Sequence, residues 1–391
     1  MLIDTRIAER LKKVNPSSTL AITSKAKKLK SEGKDVITFA AGEPDFDTPE
    51  PIKDEAIKAI KEGFTKYTPT TGTAELKKLI SDKFKKDNSL NYQPNQIVVS
   101  CGAKHSIFNA LLVLVNKGDE VLIPLPYWVS YPEMVHLCDG KPRFIKTSAA
   151  NNFKVTPEEL ERHISIKTKV FILNSPSNPT GCVYSEEELR KIAEICVKKN
   201  IFVISDEIYE KIIFDNKKHI SIASFNEDIY NLTVTVNGMS KSYSMTGWRI
   251  GYLGAPVDIA EAISRLQDHS TSNPASISQK AAQAALNMPD EFCVKMCAEF
   301  QARRNYIAGR LDKMKNISYV LPGGAFYVFC DISKTGLGSM VVANRLLDEV
   351  SLAVIPGEGF GKDDYIRLSF AASMKQIEEG MNRLQGWLDK L

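Results

Sequence analysis

Short, almost entirely apolar runs recur through the middle of the chain, and amphipathic segments separate them. Runs such as VFILN and IFVISD are rich in β-branched residues, as is typical of strands that are covered on both faces of a sheet. The pattern predicts strands at 96–101, 120–123, 170–174, 201–206, 233–237 and 250–254, with helices between them at 107–115 and 185–199. Because strands and helices alternate, we expect an α/β fold with a mainly parallel sheet.

The pattern changes after Pro274, where long amphipathic segments predict helices at 275–288 and 290–316. Strands at 325–331 and 366–370 follow, with a helix between them and another at the end. This order is typical of a second, smaller α+β domain. We therefore predict a large α/β domain over residues 46–289, and a small domain formed by 1–45 and 290–391.

Composition narrows the function classes. The 391 residues are 43% hydrophobic and 25% charged, a globular balance that argues against wholesale disorder or fibrous repeats. The formal net charge of +4 is too small to favour a nucleic-acid or anionic-membrane partner. No apolar run reaches the ~18 residues of a membrane span, and the N-terminus lacks the apolar core of a secretion signal. We expect a cytoplasmic protein.

Metal chemistry is not expected from the sequence. The seven cysteines are scattered without a Cys-x-x-Cys pair, and the five histidines show no metal-ligand spacing. The usual glycine-rich nucleotide and dinucleotide motifs are also missing, as is G-x-S-x-G of the serine hydrolases.

Three polar segments each follow a predicted strand, where ligands of open α/β sheets bind. They are NSPSNPTG at 174–181, Asp206 at the end of IFVISD, and NGMSKSYSMTGWRIGY at 237–252, which contains Lys241 and Arg249. Taken singly, each has an ordinary explanation as a loop, a helix cap or a surface lysine. Taken together, the three segments form one well-known constellation, in which a lysine such as Lys241 could be a nucleophilic amine or a phosphate ligand.

The chain resembles the pyridoxal-phosphate enzymes of fold type I, in the class I/II aminotransferase family, over nearly its whole length. The segment GMSKSYSMTGWRIG at 238–251 fits that family's lysine motif. NSPSNPTG, SDEIYE and YIRLSF fall in the expected order at suitable separations. Four motifs in order are far more specific than any one of them.

The resemblance implies catalytic roles for three residues and pyridoxal phosphate as the cofactor. Lys241 would form the internal aldimine, and its amine, once displaced by the substrate, would move a proton between the substrate Cα and the cofactor. Asp206 would hold the proton on the pyridine nitrogen. Tyr209 and Asn178 would hydrogen-bond the phenolic oxygen of the ring.

The resemblance also implies how the rest of the cofactor is held. Arg249 and Ser240 would bind the phosphate, together with backbone amides at the start of the helix after the first strand, from Gly102, Ala103 and Lys104. Tyr67, in KYTPTTG, matches a tyrosine that reaches the phosphate of a neighbouring subunit, which implies a homodimer. Trp128 matches the aromatic that stacks on the pyridine ring and faces the substrate, although Tyr127 and Tyr131 are close enough to leave the choice open.

Substrate binding follows from the same resemblance. Arg367, in YIRLSF, matches the arginine that binds the α-carboxylate, with help from Asn178 and the backbone N–H of Gly42. The stretches PYWVSYPEM, MTGWRIGY and PSST resemble the bacterial aspartate aminotransferase subgroup, in which a lysine early in a helix binds the second carboxylate of the substrate. Lys104 occupies that place, so the implied reaction is transfer of the amino group of L-aspartate to 2-oxoglutarate.

Several alternatives remain open. Members of this subgroup that also act on prephenate carry a lysine before the Pro-Ser, where this chain has Asn15. A broad-range aromatic or alanine aminotransferase, or a C–S β-lyase, would use the same lysine, aspartate and arginine. A cofactor-sensing transcription regulator would need an added DNA-binding segment, and none fits. If the chain were an α/β protein that binds no pyridoxal phosphate, the match of Lys241, Asp206 and Arg249 to the family motifs would have to be accidental.

Overall fold

The computed structural model describes residues 6–16 and 18–391. Ser17 of the PSST stretch lies outside the described residues, as do residues 1–5 of the predicted small domain. No helix within the described ranges is long and apolar enough to cross a membrane.

A seven-stranded sheet forms the centre of the fold. Its strands are β2 (Ile97–Ser100), β3 (Glu120–Leu125), β4 (Lys141–Lys146), β5 (Thr168–Asn174), β6 (Phe202–Asp206), β7 (Thr233–Gly238) and β8 (Gly251–Gly254). They lie in the order β2-β8-β7-β6-β5-β3-β4, and only β8 runs antiparallel to its neighbours. The predicted α/β class with a mainly parallel sheet is confirmed.

All six strands predicted for this sheet are present, and the seventh, β4, was missed. The reason is its position at the edge of the sheet beside β3. In its sequence KPRFIK only Ile145 is buried, so the apolar run that marks a strand covered on both faces does not occur.

Helices cover both faces of this sheet. They are α2 (Glu50–Lys61), α3 (Ala74–Asn88), α4 (Ala103–Leu114), α5 (Ser130–Leu137), α6 (Pro157–His163), α7 (Glu186–Lys199), α8 (Glu227–Tyr230), α9 (Met239–Ser242), α10 (Val257–Asp268) and α11 (Ser276–Asn287). Helix α4 begins four residues before the predicted start at 107, because its first turn, AKHS, is polar and carries no apolar periodicity.

A second, antiparallel sheet has the order β12-β13-β10-β9. Its strands are β9 (Ser318–Tyr319), β10 (Tyr327–Asp331), β12 (Ile355–Pro356) and β13 (Tyr365–Ser369), and α1 (Ser18–Ser31), α12 (Glu291–Leu311), α13 (Ser339–Val350) and α14 (Met374–Leu388) belong to this part of the chain. Helix α12 ends five residues before the predicted 316, and Asn316 has a positive φ of 62°.

The N-terminal segment joins this second unit through β1 (Ile37–Thr38), which pairs in parallel with β11 (Leu352–Ala353). Apolar residues of the segment, such as Ile22 and Phe39, belong to the same buried cluster as the antiparallel sheet. The division at residues 45 and 290 stays a prediction.

Candidate active site

One cavity of about 670 Å³ lies where the carboxyl ends of β5, β6 and β7 face the antiparallel sheet. It has the size of a small-molecule site. Most of the predicted site residues line it: Gly42, Ala103, Lys104, Trp128, Asn178, Asp206, Tyr209, Ser240, Lys241, Arg249 and Arg367. The structure therefore brings together residues that lie up to 325 positions apart in the chain.

Lys241 projects into this cavity from α9, the short helix that follows β7. Its Nζ donates a hydrogen bond of 2.6 Å to the carbonyl oxygen of Gly42. Burial lowers the pKa of Lys241 to about 8, against the opposing influence of Glu43. About one tenth of this amine is therefore uncharged at pH 7, far more than for an ordinary lysine, and the uncharged form is the one that attacks a carbonyl.

Asp206 ends β6 and is buried beside the cavity. The hydroxyl of Tyr131 donates to its Oδ2 at 2.6 Å, and the backbone N–H of Ile208 donates to Oδ1 at 3.3 Å. Burial nevertheless raises the pKa of Asp206 to about 6. A cationic group in the cavity would stabilise the ionised form of this carboxylate and lower its pKa.

Tyr209 and Asn178 stand on the same side of the cavity. The hydroxyl of Tyr209 lies 2.9 Å from that of Tyr327, and burial keeps the pKa of both phenols above the usual value. Asn178 accepts a hydrogen bond of 3.0 Å from Nη1 of Arg367, and its own backbone N–H donates to Asn174. These contacts fix the orientation of both side chains.

Arg249 precedes β8 in the chain, and its side chain contacts the residues just before α4. Its Nη2 donates to the carbonyl oxygen of Cys101 at 3.2 Å, and its Nη1 donates to that of Thr246 at 3.0 Å. Gly102 has a φ of +89°, and a Cβ placed there would come within 2.4 Å of Nη2 of Arg249. The glycine thus lets a guanidinium fork approach a helix N-terminus, a combination that suits a phosphate.

Arg367 projects from β13 and is 4% exposed. Its Nη1 and Nη2 donate to Asn178 and to the carbonyl oxygen of Ala40, while its Nε is buried without a partner among the described residues. Its guanidinium lies 4.2 Å from the ring centre of Tyr327, and burial lowers its pKa. No carboxylate of the described chain neutralises this buried charge, which predicts an anionic ligand.

Lys104 is the second residue of α4, where its charge opposes the helix dipole. Its Nζ lies 5.0 Å from the ring centre of Trp128. Burial and the neighbouring Arg249 lower its pKa, and within the described ranges it forms no ion pair with a carboxylate. Lys104 is therefore, like Arg367, a cation of the cavity with no carboxylate partner among the described residues.

The three candidate stacking aromatics occupy different environments. Tyr131 lines the cavity but is 2% exposed, and its hydroxyl donates a hydrogen bond to Asp206. Tyr127 stacks on Phe144, with ring centres 5.0 Å apart, and does not line the cavity. Trp128 lines it, with its ring edge-on to Tyr131. The geometry favours Trp128.

Two predicted residues lie outside the cavity wall. Gly102 does not line the cavity, but it leaves the space that the guanidinium of Arg249 occupies. Tyr67 is 91% exposed and does not reach the cavity of its own chain. A tyrosine so exposed is free to contact another molecule.

Some residues of the cavity were not predicted. Tyr327, in the run AFYVF, has the pattern of a core strand, so the sequence carries no signal that its hydroxyl faces a ligand. Lys27 and Lys30 of α1 line the mouth, and among many other lysines of the chain nothing distinguishes them.

A group of three possible metal ligands lies beyond Asp206, on residues that the sequence does not place together. Ligand atoms of Glu207, Glu210 and His219 lie within 4.8 Å of one another. The cluster already holds cations, because His219 contacts Glu207 at 2.8 Å and Lys83 forms an ion pair with Glu210. The expectation of no metal site stays a prediction.

Comparison with known proteins identifies the family. The family model of aminotransferase class I and II matches residues 34–384. The chain belongs to this family. An aspartate aminotransferase of Bacillus sp. (strain YM-2) is 49% identical over 383 residues, covering 97% of this chain and 98% of its own. An aspartate/prephenate aminotransferase of Nitrosomonas europaea is 44% identical, covering 98% and 100%. The crystal structure of the Rhizobium meliloti aspartate aminotransferase matches with a TM-score of 0.95 at 39% identity, covering 99% and 100%.

The protein is therefore an aminotransferase, and pyridoxal phosphate is the cofactor of its family. The residues of the cavity fit this group. Asp206 is a buried carboxylate with no ion-pair partner among the described residues, Arg249 and Gly102 form an anion cradle, and Lys241 is an amine with a lowered pKa. The predicted family, enzyme class and cofactor are confirmed.

Proposed function

We propose that this aminotransferase moves the amino group of L-aspartate to 2-oxoglutarate, forming oxaloacetate and L-glutamate. The observation that carries the proposal is that Arg367 and Lys104, which have no carboxylate partner among the described residues, line the same cavity. Each substrate of this reaction is a dicarboxylate. An apolar amino acid would leave the charge of Lys104 uncompensated.

In this proposal the chain would hold the cofactor at five points. Lys241 would bond to its aldehyde, Asp206 would pair with its pyridine nitrogen, Trp128 would stack on the ring, and Tyr209 and Asn178 would donate to its phenolic oxygen. Arg249, Ser240 and the backbone amides of Gly102, Ala103 and Lys104 would bind its phosphate. When bound, pyridoxal phosphate withdraws electrons from the substrate Cα and carries the amino group between the two substrates.

Lys241 is the proposed acid–base catalyst. Once released by the incoming substrate, its Nζ takes the proton from the substrate Cα in its neutral form and returns it as the ammonium. A pKa of about 8 is close to neutrality, so both forms are populated. The carbonyl of Gly42, which accepts from Nζ at 2.6 Å, restrains the side chain between transfers.

Substrate orientation follows from the two cations. Arg367 binds the α-carboxylate as a fork, with the Gly42 N–H and Asn178 beside it, and the partnerless Nε supports this role. Lys104 then pairs with the second carboxylate. This pairing distinguishes aspartate from amino acids of similar size without a second charge.

Assembly and location belong to the same proposal. We infer a homodimer in which Tyr67 contacts the phosphate at the neighbouring site, since its side chain is 91% exposed and does not line the cavity of its own chain. The location that we infer is the cytoplasm, from the sequence pattern alone.

An absorbance experiment tests the proposed reaction. The purified protein should show a visible band from bound cofactor, which aspartate alone abolishes and 2-oxoglutarate restores. Lys241→Ala should lack this response. A band that aspartate leaves unchanged but an apolar amino acid abolishes would refute the substrate assignment. A protein that binds no pyridoxal phosphate would refute the whole proposal.

Prephenate is the second candidate, because it also carries two carboxylates. Asn15, at the place where prephenate-active members have lysine, contacts Glu133 through its backbone and side chain, at 3.0 and 3.4 Å. It does not line the cavity. We therefore expect prephenate to be a poorer acceptor than 2-oxoglutarate when both are compared by kcat/KM.

A further inference from the structure

Tyr327 connects the two halves of the cavity. It is fully buried on β10, its hydroxyl lies 2.9 Å from that of Tyr209, and its ring lies 4.2 Å from the guanidinium of Arg367. A Cβ built on Gly42 would lie 3.9 Å from the Tyr327 hydroxyl. One side chain thus contacts both a residue on the cofactor side and residues on the substrate side.

The contact with Arg367 is set by the register of the antiparallel sheet. Arg367 pairs with Phe329, and Tyr327 pairs with Ser369, so Tyr327 and Arg367 are diagonal neighbours on one face. The aromatic face attracts the guanidinium, more strongly in a site without water than at a surface. Since Nε of Arg367 has no partner in the described chain, the ring is an important restraint on this buried cation.

The hydrogen bond between the hydroxyls of Tyr327 and Tyr209 affects which of the two hydroxyl protons is free to be donated into the cavity. Burial raises the pKa of both phenols, so both hydroxyls keep their protons and one must donate to the other. An anionic oxygen in the cavity is a stronger acceptor than a phenol. The favoured order is therefore Tyr327 donating to Tyr209, and Tyr209 donating to that oxygen, because each hydrogen bond polarises the next.

We propose that Tyr327 is a positioning residue with two separable roles. Its hydroxyl makes Tyr209 a better donor to the phenolic oxygen of the cofactor, and its ring holds Arg367 in place for the α-carboxylate. The inference rests on the proposed function, because it needs pyridoxal phosphate beside Tyr209. A weaker donor leaves more negative charge on the phenolic oxygen, which then holds the proton of the adjacent linkage to Lys241 more tightly.

Substitutions separate the two roles in the cofactor-loaded protein. Tyr327→Phe should raise the pH midpoint of the visible cofactor band by up to about one unit, the value of one lost hydrogen bond, and leave the aspartate KM within about threefold. In a Tyr209→Phe background the same change should add no further shift. Tyr327→Leu should in addition raise the KM for aspartate and for 2-oxoglutarate about tenfold, by loosening Arg367.

Tyr92→Phe is the matched control. It removes another fully buried hydroxyl, which lies 3.0 Å from Thr235 in the core and outside the cavity. It should move neither the band midpoint nor KM.

Three results would overturn the inference. A Tyr327→Phe band that titrates like the wild-type band refutes the role of the hydroxyl, and equal KM values for the Phe and Leu variants refute the role of the ring. A shift that persists in full when Tyr209 is Phe shows that Tyr327 does not act through Tyr209. A wild-type protein without a visible band at any pH refutes the proposed function itself, which the first three results leave intact.

Discussion

Replacement of Lys104 by methionine tests the substrate assignment most directly. Methionine keeps an apolar stem of similar length against Trp128 and removes only the ammonium group, which lies 5.0 Å from the ring centre. Because the positive charge opposes the dipole of α4 and has a lowered pKa, its loss should not reduce the melting temperature. A fall in activity would then report on binding.

The expected magnitude follows from the exposure of Lys104. An ion pair at an exposed site contributes about 0.2–1 kcal/mol, and a hydrogen bond to a charged group about 1.5–3 kcal/mol. Lys104 lies between these limits, since it is partly exposed and yet desolvated enough to lower its pKa. We therefore expect a loss of about 1–2 kcal/mol, or about 5- to 30-fold in kcat/KM for aspartate.

The assay compares two amino donors in single-turnover measurements of the cofactor band. Aspartate should lose the full factor, whereas alanine, which has no second carboxylate, should react within about twofold of the wild-type rate. Lys77→Met provides a control, because it removes another lysine whose pKa is lowered by burial but which does not line the cavity. Equal losses for aspartate and alanine would refute the role of Lys104.

Three further predictions concern the cofactor and the cavity mouth. The rate at which the apoprotein takes up pyridoxal phosphate should rise with pH and level off above about 8, because deprotonation of Lys241 limits the reaction; a stopped-flow midpoint near that of free lysine would contradict this. Gly102→Ala should weaken cofactor binding about tenfold in equilibrium dialysis, since its Cβ would come within 2.4 Å of Nη2 of Arg249, whereas Gly247→Ala, with open space around it, should not. Combined Lys27→Ala and Lys30→Ala should lower kcat/KM for aspartate at low salt, because the two lysines attract the anionic substrate towards the cavity. The difference from wild type should vanish near about 1 M salt, where the Debye length is about 3 Å. A difference that persists at this salt concentration would exclude long-range attraction.

The sequence predicts the central sheet because burial on both faces leaves a clear apolar pattern. Strands β5 and β6 show this pattern and were predicted. Strand β4 was not predicted, because at the edge of the sheet most of its residues are not buried. Polar residues that follow an apolar strand, such as Asp206, stand out in the sequence for the same reason, but the roles of Asp206 and Lys241 were predicted from the family resemblance.

Residues whose role depends on the packing of two sheets could not be found in this way. Tyr327 pairs with Ser369 within the antiparallel sheet, and its hydroxyl contacts that of Tyr209, which follows β6 of the central sheet. Neither contact can be predicted from the run AFYVF. Lys104 was predicted from the family resemblance, but only the structure shows that it and Arg367 line one cavity.

The segment SDEIYE shows how buried charges separate a ligand site from a structural network. Glu210 is buried like Asp206, and burial alone would raise its pKa, but Lys83 lowers it to about 2. Glu207 is likewise matched by His219, whose pKa it raises against the effect of burial. Asp206 has hydrogen bonds but no ion-pair partner among the described residues, and its pKa is raised to about 6. Since a buried charge is costly unless something compensates it, the paired carboxylates are explained by the chain itself, whereas Asp206 and Arg367 have no ion-pair partner among the described residues, as expected of groups that bind a charged ligand.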